Sequence, residues 1–67
     1  MIRSFGGHSP KIHPTAFVSE AAYVVGNVEI GEGSSIWPGT IIRANTHRIK
    51  IGKYADIQDN CVIHSDA

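Results

Sequence analysis

The sequence predicts an all-β fold, a parallel β-helix of about three triangular coils, and three observations carry that expectation. The first is compositional: the 67 residues contain no leucine, while Ile and Val recur along the whole chain. Leucine is normally among the commonest residues and favours helices, whereas β-branched side chains fit pleated surfaces. The second is a period. Steps of six residues from Ile12 land on Val18, Val24, Ile30, Ile36 and Ile42, and after a skip of three on Ile51, Ile57 and Ile63. The third is a companion series four residues after each anchor: Ala16, Ala22, Val28, Ser34, Thr40, Thr46, Ala55, Cys61 and Ala67, all small or modest in size. A period of six matches neither a 3.6-residue helix nor simple two-residue alternation. It matches a coil with three six-residue faces.

Each element follows from that frame. Residues 1–11 form a lead-in, with Ile2 and Phe5 placed to fold under the lower end as terminal solenoid repeats must. The coils are expected at 12–29, 30–47 and 51–67, with an insertion at 48–50 inside an outward loop over 43–50. The anchors then stack as Ile12/Ile30/Ile51, Val18/Ile36/Ile57 and Val24/Ile42/Ile63, about 4.8 Å apart, and fill the interior. The small series marks tight corners, so Cys61 reads as a compact inward residue. Gly31 and Gly52 follow their anchors one coil apart, where glycine supplies unusual backbone angles.

Composition also narrows function. Six Lys+Arg balance six Asp+Glu, which argues against nucleic acid or an anionic membrane as partner. One cysteine excludes an internal disulfide framework and a Cys-based zinc cluster. No apolar run approaches a membrane span, and the first residues lack a signal-peptide core, so a cytoplasmic location is expected.

Outward positions beside the anchors gather the chemistry. One column reads Val25, Arg43, His64, placing Arg43 one coil beneath His64. The neighbouring column reads Ser19, Trp37, Gln58, with Asp59 beside Gln58. On residue types alone this is a polar edge. Gly31-Glu32-Gly33-Ser34 lacks the lysine and following helix of a phosphate loop, and Trp37 reads as a wall or interface residue.

The string Arg43-Ala44-Asn45, followed by Ile51-Gly52-Lys53-Tyr54-Ala55-Asp56-Ile57-Gln58-Asp59-Asn60-Cys61-Val62-Ile63-His64, resembles the γ-class carbonic anhydrases. That family is built on hexapeptide-repeat, left-handed parallel β-helices. Ile12-His13-Pro14-Thr15-Ala16-Phe17-Val18 and Ser35-Ile36-Trp37-Pro38-Gly39 are similar to it as well. The resemblance implies reversible hydration of carbon dioxide to bicarbonate at a metal-bound hydroxide, with zinc or iron as the metal. His64 matches the first of three metal histidines, and Gln58 matches the residue that orients the hydroxide or substrate. Arg43 and Asp59 match the polar pair where the site forms between the subunits of a homotrimer. Two departures stand out: Asn45 where the family has the carboxylate that pairs with the arginine, and Asp56 where it favours asparagine. The family's other two metal histidines lie on coils later than residue 67. The chain is therefore expected to represent the N-terminal part of such a protein, to bind no metal stably by itself and to be inactive alone. The alternatives are a non-catalytic trimeric scaffold and a hexapeptide acyltransferase.

Overall fold

The computed structural model describes residues 1–65, the side chain of Thr46 excepted. Eight strands follow in order: β1 (Ile2–Arg3), β2 (Lys11–Ile12), β3 (Phe17–Val18), β4 (Tyr23–Ile30), β5 (Ser35–Ile36), β6 (Ile41–Ile51), β7 (Asp56–Ile57) and β8 (Val62–Ser65). Every pairing between these strands is parallel. Among the described residues no helix is long and apolar enough to cross a membrane.

The strands wrap three faces. β2 and the ends of β4 and β6 make the first face, and β3, β5 and β7 the second. β1, the starts of β4 and β6, and β8 make the third. The registers Ile12↔Ile30↔Ile51, Val18↔Ile36↔Ile57 and Val24↔Ile42↔Ile63 are the three anchor columns read from the period. β1 lengthens the third column, since Ile2 pairs with Val24. Ile2 and Phe5 lie at this lower end, each about half exposed.

Burial follows position in the stack. Val24, Ile30, Ile36 and Ile42 of the inner turns are buried, while Ile12, Val18, Ile57 and Ile63 at the two ends are partly covered. The small corner series packs beside them, and its polar members are satisfied by the coil above. Buried Ser34 donates to the Gly52 carbonyl at 2.6 Å and accepts from the Ala55 amide at 3.1 Å. Thr40 donates to the Gln58 carbonyl at 2.7 Å. These hydroxyls tie neighbouring coils at positions where an unpaired polar group would be costly. Cys61, in the last coil, is only partly buried. Ala67 lies outside the described residues.

Two expectations are corrected. The three extra residues do not fall at 48–50, and 43–50 is not an excursion from the sheet: β6 runs through Ile51. Arg43 and Ala44 pair with Val25 and Gly26, and pairing resumes at Val28↔Ile49 and Glu29↔Lys50. The extra length therefore lies within 45–48, opposite Asn27. Ile49, not Thr46, joins the Val28 column and packs on the core. Register follows burial of apolar side chains, and isoleucine gains more there than threonine.

The second correction concerns glycine. Neither Gly31 nor Gly52 has a positive φ. Gly31 supplies room, because a Cβ there would stand 2.8 Å from the Gly52 carbonyl carbon. Left-handed corners fall instead at Gly33 and Gly39, and one coil later at Tyr54 (φ 55°) and Asn60 (φ 60°). Asparagine tolerates that region, while for tyrosine it costs on the order of 1 kcal/mol.

Candidate functional site

The third face carries Arg43 on β6 and His64 on β8, paired in register. Both side chains point outward, because Ile42 and Ile63 beside them point in. Nη2 of Arg43 lies 3.0 Å from Nε2 of His64. A guanidinium only donates, so Nε2 accepts and the imidazole carries its proton on Nδ1. The sequence-based placement of Arg43 beneath His64 thus becomes a direct contact.

Gln58 and Asp59 are not in that contact. Gln58 follows β7 at the edge of the second face, and its Nε2 donates to Oδ2 of Asp56 at 2.7 Å. The other oxygen of Asp56 accepts from the Ser35 hydroxyl at 2.6 Å and from the Trp37 indole at 2.6 Å. Hydrogen bonds from Ser35 first and Trp37 next hold the Asp56 carboxyl below its ordinary value of 3.8, with desolvation opposing. Trp37 in turn leans on Phe17, ring centroids 5.1 Å apart. Asp59 is exposed and, among the described residues, makes no side-chain hydrogen bond. The structure therefore brings Arg43 to His64 and Gln58 to Asp56, as two separate clusters.

The Asp56 network was not anticipated. Its signal was present in the sequence, since Phe17, Ser35 and Asp56 form one outward column and Trp37 and Gln58 stand in the next. What the column cannot reveal is which rotamers turn toward the carboxylate.

A scan of family models matches residues 9–44 to the bacterial transferase hexapeptide (six repeats) family, more than half of the chain. This chain belongs to the bacterial transferase hexapeptide family. The left-handed, hexapeptide-repeat β-helix expected from sequence is the fold it adopts. Hexapeptide relatives of two kinds align with it. An uncharacterized transferase of Bacillus subtilis is 44% identical over 96% of this chain and 37% of its own length. Gamma carbonic anhydrase 2 of Arabidopsis thaliana, mitochondrial, is 43% identical over 84% of this chain and 20% of its own length. Among solved structures, a hexapeptide transferase family protein from Anaplasma phagocytophilum superimposes with a TM-score of 0.80 at 29% identity, covering 96% of this chain and 50% of that one. The chain thus spans about a third or less of the curated relatives it matches.

The donor set of the described residues does not by itself fit a metal centre. Among the described residues no group of three His, Cys, Asp or Glu could hold an ion. The Nε2 lone pair of His64 is taken by Arg43. His13 sits on the first face, its Nδ1 2.9 Å from the Thr15 hydroxyl. An open depression of about 360 Å³, lined in part by Lys11, His13 and Glu29, also lies on the first face, apart from both clusters.

Proposed function

We propose that the chain carries part of a γ-carbonic-anhydrase-like site, one that interconverts carbon dioxide and bicarbonate. In this reading His64 contributes one imidazole to a zinc or iron site that residues outside this chain complete. Arg43 contacts that imidazole at Nε2, and its guanidinium must turn away before Nε2 can ligate. Gln58, anchored through its amide nitrogen, keeps its carbonyl oxygen available as an acceptor, and Asp59 adds a carboxylate at the same edge. The setting is a cytoplasmic homotrimer. The observation that carries the reading is the in-register placement of Arg43 and His64 on one outward face, two residues that match the γ-class motif, in a chain with γ-class relatives over most of its length.

A transferase is the second reading, and the Bacillus subtilis and Anaplasma relatives favour it by their names. There His64 would act as a general base near an acyl acceptor, a role that also needs a free Nε2.

The native product of the gene decides between them. Metal content and stopped-flow carbon dioxide hydration are expected to show bound metal and activity, with His64→Ala losing both by at least about a hundredfold. A metal-free product that transfers acyl groups in a His64-dependent manner would overturn the carbonic anhydrase reading.

A further inference from the structure

Two histidines of this chain are engaged through opposite ring nitrogens. Nδ1 of His13 accepts the Thr15 backbone amide at 3.2 Å, and the Thr15 hydroxyl lies 2.9 Å from the same atom. A neutral imidazole that accepts on Nδ1 carries its proton on Nε2. His64 is the reverse: Nε2 meets Nη2 of Arg43 at 3.0 Å, so the proton stands on Nδ1. The partners differ in charge as well. Those of His13 are neutral, and that of His64 is a cation.

The fold accounts for the second arrangement. Ile42 and Ile63 pack into the core, so Arg43 and His64 both stand outward, in register and one coil apart. Among the described residues the one ion pair within 4 Å joins Arg48 to Glu29, and Asn45, two along from Arg43, is neutral. Within this set the guanidinium donates to a lone pair and not to a carboxylate. A metal ion makes the same demand of an imidazole, a neutral ring with an unprotonated nitrogen turned toward positive charge. Arg43 already has His64 in that state, and it occupies the nitrogen concerned.

We propose that Arg43 is a placeholder for the ion at His64. In the metal-free chain its guanidinium favours the tautomer with a bare Nε2 and covers that nitrogen until the guanidinium turns aside. The identity of the incoming ion rests on the carbonic-anhydrase-like reading; the tautomer and the cover do not. Magnitude sets what such a cover can do. Both side chains are exposed, and an exposed pair of this kind shifts an equilibrium about two- to threefold. That biases a lone imidazole against a stray ion. Against a site of three or four ligands acting together it is negligible. The cover therefore weighs on the incomplete site and not on the completed one.

The test is long-range proton–nitrogen NMR on the isotope-labelled 67-residue chain, in mildly alkaline buffer where imidazoles are uncharged. Far-UV circular dichroism confirms folding. Wild-type His64 is expected mainly in the Nδ1–H tautomer and His13 in the Nε2–H tautomer. Arg43→Met keeps the length of the side chain without a donor. It is expected to move His64 toward the Nε2–H form and to leave His13 as it was. Zinc is then titrated into both proteins and followed at the ring signals of each histidine. The His64 midpoint is expected to fall about two- to threefold in Arg43→Met, with the His13 midpoint unchanged. Should Arg43→Met disturb the fold, Arg43→Ala carries the same test. Wild-type His64 in the Nε2–H tautomer overturns the proposal. So does a His64 midpoint that Arg43→Met leaves unchanged or raises. The tautomer is read without metal or activity, so the two readings fail separately: a metal-free acyl transferase would leave the His64 tautomer as stated.

Discussion

Ile42 and Arg43 are neighbours on β6, yet they answer to different constraints. Ile42 points inward between Val24 and Ile63 and is fully buried. Arg43 points outward, is exposed, and touches the imidazole one coil above. The inward position repeats because each coil presents the same shape to the next. The outward position is free of that repetition and holds whatever the local chemistry requires. Stability in this molecule is a property of columns, and function is a property of single positions beside them.

Replacing inward residues tests the first half of that statement. Ile42→Ala removes most of a fully buried side chain whose surroundings cannot collapse into the gap. It is expected to cost about 3–4 kcal/mol, enough to abolish the cooperative thermal transition of a chain this small. Ile57→Ala, in the same kind of column but at the partly covered end, is expected to cost about 1–2 kcal/mol, read by chemical denaturation. Equal losses at the two sites would mean that the upper coil is covered in solution, and the contrast between middle and end would fail.

Outward replacements should behave otherwise. Asp56→Asn is expected to lower stability slightly near neutral pH and to flatten its acid limb. The folded-state carboxyl titrates below 3.8, so its contribution is full above that value and is lost as pH falls through the folded pKa. The wild type should therefore lose stability relative to Asp56→Asn only on strong acidification. Trp37 fluorescence should report the same titration, since the indole donates to that carboxylate. A difference that grows instead above neutral pH would contradict the assignment. Arg43→Ala is expected to have the smallest effect on stability, within about 0.5 kcal/mol, as for an exposed polar contact. A loss comparable to Ile57→Ala would show that the guanidinium–imidazole pair holds the coils together.

The same division explains what the sequence made legible. Columns could be read because Ile and Val at a fixed period leave one way to bury them all, and the anchors pair as counted. The insertion could not be placed by counting. Both Thr46 and Ile49 fit the spacing on paper, and only burial of Ile49 against the core chooses between them. Backbone angles at the corners were also misjudged. The period marks where chains turn, but Tyr54 and Asn60 take the left-handed conformation without the glycine that would announce it. Arg43 and His64 were legible as column neighbours. The attachment of Gln58 to Asp56 was not, since both residues lie on one coil and meet through side-chain rotation alone.

The proposed function requires that this chain bring a single imidazole, that of His64, to a metal site that other residues complete. Zinc content of the purified 67-residue chain after exhaustive dialysis, with carbon dioxide hydration followed by stopped flow on the same sample, tests it most directly. The account predicts no stoichiometric zinc and no hydration above the buffer rate. One tightly held zinc per chain with hydration activity would contradict it.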